Sequence, residues 1–284
     1  MNSNEAIFGD IIADLEPEVV EERVCPLTSA RLAATLDFDV PATAEGMEVL
    51  PLSHWLYCLP VVEHSGLDEN GHPKRGRFMP ELPFFKRMFA GADIEFVSPI
   101  VAGETVRRTG RVTEIVPKEG RSGRFYLVNV RQEYADASGP LIVENQKIVY
   151  RKEVSSGNSG GGGANVDLPT SEWSRSYLPN ENMLFRYSAL LFSAHRIHFD
   201  RKFALDEGYP ALVVHGQLAA TCLAHLAAQN AGRKLKSFSY RSRSPLFEKR
   251  TFEACGRMEG ITTDLWIVDD NGTLSIRAQA EFQT

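Results

Sequence analysis

The stretch Val213-Val214-His215-Gly216-Gln217-Leu218-Ala219-Ala220-Thr221-Cys222-Leu223-Ala224-His225-Leu226 decides how the rest of the chain is read. Its alanines and leucines are strong helix formers, and small residues fall on several of its faces. The spacing predicts a helix over 212–229 that opens at His215-Gly216. Downstream, 235–240 alternates, 251–258 reads as a strand, and 264–268 and 274–282 form two more. The last two are joined by Asp269-Asp270-Asn271-Gly272, a strong hairpin turn.

The first half repeats this order. A continuous apolar run over 49–59 places Leu52-Ser53-His54-Trp55 where Val213-Val214-His215-Gly216 stands. Strand-like segments follow over 92–97, 105–116, 124–134 and 141–151, with a turn at Asp136-Ala137-Ser138-Gly139. Ser98-Pro99 and Gly110-Arg111 match Ser244-Pro245 and Gly256-Arg257 at identical spacing. The shared order, spacing and final hairpin point to an internal duplication. Each half then reads as α+β, one long apolar helix wrapped by an antiparallel sheet. Two such units make a double hot-dog fold: residues 1–154, a Gly/Ser-rich linker over 155–170, and residues 171–284. Residues 6–24 read as a surface helix or arm. A short helix is expected over 27–36, with Thr28 or Ser29 as cap. The Gly-, Pro- and charge-rich stretch 65–80 reads as a polar loop.

A chain of 284 residues is long enough for two domains with a real core. The net charge of −6 argues against nucleic acid or an anionic membrane as the main partner. No apolar run approaches the roughly 20 residues that span a bilayer. The first 22 residues are acidic and carry neither a signal-peptide nor a transit-peptide pattern. Cys25, Cys58, Cys222 and Cys255 are scattered, as free thiols in a reducing cytosol would be. The expected location is cytoplasmic.

Three of the seven histidines, His195, His198 and His215, lie between an apolar run and the Gly-opened helix. A histidine titrating near pH ~6.5 can accept a proton at neutral pH and return it. His198 follows an apolar segment, and dry surroundings would hold it neutral and basic. Gly216 has no side chain to block the first free N–H groups of its helix, which suit an enolate-like oxygen. Trp55 at the matching position would block that approach, so the second half is expected to carry the chemistry. The bland alternatives are polar loop histidines and a packing glycine. The pairs His195/His198 and Cys222/His225 lack a third ligand at characteristic spacing, so no metal is expected. Walker loops, Gly-x-Gly-x-x-Gly after a strand and Gly-x-Ser-x-Gly are all missing. Basic residues gather at Arg107, Arg108, Arg111, Lys118, Arg121 and Arg124, then Arg241, Arg243, Lys249 and Arg250. Most read as solvated strand faces, a few as phosphate ligands.

Phe192-Ser193-Ala194-His195-Arg196-Ile197-His198-Phe199-Asp200, followed by Val214-His215-Gly216, resembles the MaoC-like enoyl-CoA hydratases and dehydratases. It is similar to the branch that holds mesaconyl-C4-CoA hydratase, itaconyl-CoA hydratase and the hydroxyacyl-thioester dehydratases. Phe89-Ala90-Gly91 and Gly120-Arg121-Ser122-Gly123 resemble that branch's degenerate first domain. The wider family's Asp, Asn and Pro positions are held here by Ser193, His195 and Arg196, and its histidine by His198. The resemblance implies a hydro-lyase converting mesaconyl-C4-CoA or itaconyl-CoA to citramalyl-CoA, as in itaconate degradation. His198, Ser193 and the Gly216 N–H would be catalytic. His195, Arg196, His215, Arg241 and Arg243 would bind substrate, with Arg196 the first choice for a substrate carboxylate. No cofactor is expected beyond the CoA of the substrate, and a homodimer is a possible assembly. The other readings are a 3-hydroxyacyl-thioester dehydratase of fatty acid metabolism, a hot-dog thioesterase, and a non-catalytic acyl-CoA binding protein.

Overall fold

Period-two alternation of apolar and polar side chains governs most of this chain, and strands dominate accordingly. The computed structural model describes residues 3–39, 44–84, 86–120, 123–152 and 168–283. In chain order the elements are α1 (Ser3–Ala13), β1 (Glu18–Arg23), α2 (Pro26–Leu36), β2 (Lys86–Phe96), β3 (Thr105–Gly120), β4 (Gly123–Asp136) and β5 (Gly139–Arg151). Then come β6 (Trp173–Tyr177), α3 (Glu181–Leu190), α4 (Arg201–Asp206), α5 (Gly216–Ala231), β7 (Leu235–Ser242), β8 (Phe252–Glu259), β9 (Thr262–Val268) and β10 (Leu274–Phe282). Among the described residues no helix is long and apolar enough to cross a membrane.

The strands form one antiparallel sheet of ten, ordered β1-β3-β4-β5-β2-β7-β10-β9-β8-β6. The five strands on one side come from the first half and the five on the other from the second. They meet where β2 pairs with β7, from Gly91 opposite Arg241 to Glu95 opposite Ser237. Helix α5 is the filling of this hot dog. It packs on β7, β8, β9 and β10 and reaches β2, and every residue from Leu218 to Ala227 is buried. Its alanines let the curved sheet approach from several directions at once, as a helix buried all round requires.

The two halves are less alike than their order of motifs suggests. Only the second has a long central helix. In the first, the apolar run makes a single 3₁₀ turn, Ser53–Leu56, between left-handed residues Leu52 (φ 63°) and Cys58 (φ 52°). Pro51 and Pro60 stand on either side of the turn and oppose helix extension. Trp55, Leu56 and Tyr57, all almost fully buried, fill with large side chains the space a helix would occupy. Residues 18–23 also depart from the expected helix or arm. Their exposure alternates, and they pair as β1 along β3, covering that edge of the sheet. Helix α2 falls where expected, but Pro26 opens it and Cys25 stands at its cap without a side-chain bond. Ser29, an expected cap, is instead buried with its hydroxyl 3.3 Å from that of Tyr57. The Gly/Ser stretch 155–164 and Arg121-Ser122 lie outside the described residues.

The seam between the halves depends on one glycine. Gly91 sits at a bulge in β2 with φ +148°, and a Cβ there would lie 2.1 Å from the Tyr240 carbonyl oxygen. The expected result for Gly91→Ala is a loss of about 2–4 kcal/mol of stability in urea unfolding, from backbone strain and overpacking. An unchanged midpoint would mean that the seam yields without cost.

Candidate active site

Two backbone segments clamp each other beside the start of α5. The N–H of Val213 donates to the carbonyl of Ile197 at 3.0 Å, and Nδ1 of His198 lies 2.7 Å from the carbonyl of Val213. A carbonyl only accepts, so Nδ1 carries the proton and Nε2 keeps the lone pair. The imidazole of His215 stacks on that of His198, with centroids 3.7 Å apart and planes 18° apart. Its Nε2 is 2.9 Å from the hydroxyl of Ser188 on α3. His215 therefore does more than mark the turn into α5: it is a platform for the His198 ring.

His195 meets His198 edge to face at 5.1 Å, and His72 lies 4.0 Å from His195. Burial pushes His198 down to about 4, against the upward pull of the Val213 carbonyl. His72 falls to about 3, through burial and then the charges of Arg87 and His198. His195 and His215 lie well below the ordinary histidine value for the same reason, burial first and neighbouring rings second. All four are neutral at pH 7, because charging any one is opposed by desolvation and by its neighbours.

His72 comes from the other half, on the stretch that reads as a plain polar loop. Asp68 Oδ1 accepts the backbone N–H groups of Asn70 and His72 at 3.0 Å each, which folds the loop tightly. Gly71 (φ +85°) then presses on the loop before His195 so closely that a Cβ would sit 1.8 Å from the Ala194 carbonyl oxygen. The backbone N–H of Arg196 donates to the Asn70 carbonyl at 3.0 Å. The signal in the sequence was the Asp-x-Asn-Gly turn. It marks a sharp reversal but not what lies against it.

The four histidines His72, His195, His198 and His215 line a cavity of about 540 Å³. Ser193, His195, His198, His215, Gly216 and Arg243 all border it, so six of the eight expected site residues are brought together. Gly216 is the first residue of α5, and His215 offers no side-chain cap. A Cβ on Gly216 would meet only Ser242 Oγ at 3.6 Å and Phe89 O at 3.8 Å, ordinary contacts. Protein packing does not demand this glycine; the missing Cβ instead opens the helix N–H groups to the cavity. Ser242 Oγ, beside it, is buried without a partner. Ser193 Oγ receives only the His195 N–H at 3.5 Å, which leaves its hydroxyl able to hold a water.

Two expected ligands are elsewhere. The Arg196 guanidinium is held by Asp200 at 2.7 and 3.1 Å and lies 4.2 Å over the Phe203 ring, outside the cavity. Arg241 is spent on both oxygens of Asp93 at 2.6 and 2.7 Å, across the seam. Neither could be foreseen, because their counter-ions are a helix cap and a residue of the other half. Arg87, Arg124, Arg151 and Lys152 border the cavity with Arg243, and no described Asp or Glu does. In an acidic chain this is a concentrated positive field, suited to an anionic ligand. Lys249 and Arg107 instead pair with Glu181 and Glu21 on the surface.

The matching place in the first half is closed. Trp55 packs edge-on to Phe89 and Tyr240, and its indole N–H donates to the buried Glu144 at 2.9 Å. Among the described residues no group of three His, Cys, Asp or Glu side chains could hold a metal ion.

Neutral histidines make the fold sensitive to acid. Unfolded, each takes a proton near pH 6.5; folded, His72, His198 and His225 resist until about 3 to 4. Unfolding therefore binds protons between these values, and stability falls as pH drops through that window. The slope is about 1.4 kcal/mol per pH unit for each such histidine. Urea midpoints should drop between pH 7 and 5.5; equal midpoints would mean that the rings are not held neutral.

Comparison with known proteins gives the family and the fold. The family model for hydroxyacyl-thioester dehydratase type 2 matches residues 52–248. Mesaconyl-C(4)-CoA hydratase of Chloroflexus aurantiacus is 39% identical over 273 residues, covering 93% of this chain and 94% of the relative. The mitochondrial hydroxyacyl-thioester dehydratase type 2 of Schizosaccharomyces pombe is 26% identical over 271 residues, covering 84% and 88%. Among solved structures, a MaoC-like dehydratase from Phytophthora capsici superposes with a TM-score of 0.74 at 16% identity, covering 97% of each chain. That likeness carries the hot-dog fold, and the sequence match carries the chemistry class of hydro-lyases. With its helix N-terminus, histidine pair and closed first half, the chain belongs to the hydroxyacyl-thioester dehydratase type 2 family.

Proposed function

We propose that this enzyme adds water to the double bond of a branched dicarboxylic enoyl-CoA, of which mesaconyl-C4-CoA is the leading candidate, to give citramalyl-CoA. The observation that carries the reading is the pairing, in one cavity, of a neutral His198 with the open N-terminus of α5 at Gly216. The 39% identity to an enzyme named for mesaconyl-C4-CoA supports the choice of acyl group. The charged residues that line the cavity are all cationic, which supports an anionic acyl group.

In this scheme Nε2 of His198 takes a proton from water while the water oxygen bonds to the β-carbon. The π electrons move to the thioester oxygen, where the Gly216 N–H and the dipole of α5 stabilise the enolate. The imidazolium then returns the proton to the α-carbon, so no cofactor is consumed. The Val213 carbonyl and the His215 ring hold His198 in the productive tautomer and plane. Ser193 positions the water, and Ser242 is a second donor toward the thioester oxygen. Arg124, Arg151, Lys152 and Arg243 serve the phosphates of CoA. Itaconyl-CoA gives the same product and is the second substrate to try.

The direct test follows the enoyl absorbance of mesaconyl-C4-CoA, with release of free CoA thiol as the sign of a thioesterase. His198→Ala should lower the rate by about 10²–10⁴, and Ser193→Ala by less. A His198→Ala enzyme within tenfold of the parent would remove His198 as the base. Because His198 is held down at about 4, kcat/KM in the free enzyme should stay flat down to about pH 5. It should then fall as the imidazole protonates. An acid limb centred near 6.5 would contradict the dry environment assigned to this ring.

A further inference from the structure

With Arg196 and Arg241 committed elsewhere, the second carboxylate of a dicarboxylic acyl group needs another partner. We infer that Arg87, with His72, forms the subsite that takes this distal carboxylate and sets the preference for dicarboxylic over monocarboxylic substrates. The inference rests on the dicarboxylic reading above.

Arg87 lies on β2 of the first half, its side chain only 9% exposed and bordering the cavity. A guanidinium has five N–H donors; among the described residues Nη2 makes its hydrogen bonds of good geometry, and the Tyr150 hydroxyl is a further neighbour. Nη2 donates to Asp68 Oδ2 at 3.2 Å and, weakly, to the Pro73 carbonyl at 3.4 Å. Nε and Nη1 keep donors for a ligand, in the side-on geometry that suits a carboxylate. The compensation by Asp68 is itself diluted, since its other oxygen serves the N–H groups of Asn70 and His72.

His72 borders the same cavity, and its Nε2 is buried with no partner. Buried polar atoms are nearly always satisfied, so one left open beside an under-used guanidinium marks where a ligand atom belongs. The position also fits the reaction. His195 stands between His72 and His198. In a mesaconyl-C4 group the carboxylate is attached to the very carbon that water attacks. Both Arg87 and His72 belong to the first half, so the half that lacks its own site would supply specificity to the other.

The experiment compares kcat/KM for mesaconyl-C4-CoA and crotonyl-CoA, which lacks the second carboxylate, in the parent and in Arg87→Met. The expected result is a parent preference for mesaconyl-C4-CoA that falls about 30-fold or more in Arg87→Met, with crotonyl-CoA turnover within about threefold. His72→Asn should move the same ratio in the same direction by a smaller factor. If Arg87→Met fails to fold, Arg87→Lys carries the test, because it keeps the charge and loses the fork. Its KM for mesaconyl-C4-CoA should rise while that for crotonyl-CoA does not. A parent that prefers crotonyl-CoA overturns the dicarboxylic reading. A parent that prefers mesaconyl-C4-CoA, with variants that keep this preference, overturns the subsite alone.

Discussion

The hydrogen bond from Nδ1 of His198 to the carbonyl of Val213 is the contact on which the site depends. It joins the 3₁₀ turn that carries His198 to the strand-like entry of α5, and the Val213 N–H to Ile197 bond closes the same pair of segments. One short ring of contacts thus fixes the tautomer and plane of the His198 ring and its place beside the start of α5. Val214 is tied in turn to Leu246, and His215 to Ser188. A shift of α5 would therefore drag the base with it. Such preorganisation is what the proposed role of His198 as a lone base requires.

The first half contributes to the cavity wall as well as to the fold. Trp55 and its neighbours pack the room that α5 occupies in the second half, and the Trp55 indole satisfies a buried Glu144 that would otherwise be costly. This half reaches across the seam. The Asp68 turn and the side-chain-free Gly71 allow loop backbone to touch the Ala194 carbonyl region, which brings His72 into the row of rings. The close contact explains why the two halves cannot be treated as independent units.

The sequence made some of this legible and hid the rest for physical reasons. Helix α5, the β9–β10 hairpin and the strands are local matters of propensity, period and turn chemistry, and they appear where the residues put them. His198 and Gly216 were legible because each combines a residue type with a short-range setting. The 3₁₀ turn at Ser53–Leu56 was misread as a helix because apolarity alone does not distinguish the two. The β1 strand was misread because alternating acidic and apolar residues fit both periods over six positions. Arg196 and His72 were out of reach altogether. The partners of one side chain decide whether it is free, and those partners depend on tertiary packing.

The electrostatics of the cavity resolve an apparent conflict. Burial disfavours a proton on His198, which in the proposed hydration must nonetheless accept one. In the resting site that suppression keeps the base unprotonated. Binding changes the balance, since an acyl-CoA delivers several negative charges to the same wall and a dicarboxylic acyl group adds one beside the rings. Each anion near His198 favours its charged form. The neutral residues would then hold the base ready, and the substrate's own charge would raise its proton affinity as water attacks. On this argument the cations select the ligand, and the bound ligand offsets the penalty that burial imposes on the proposed base.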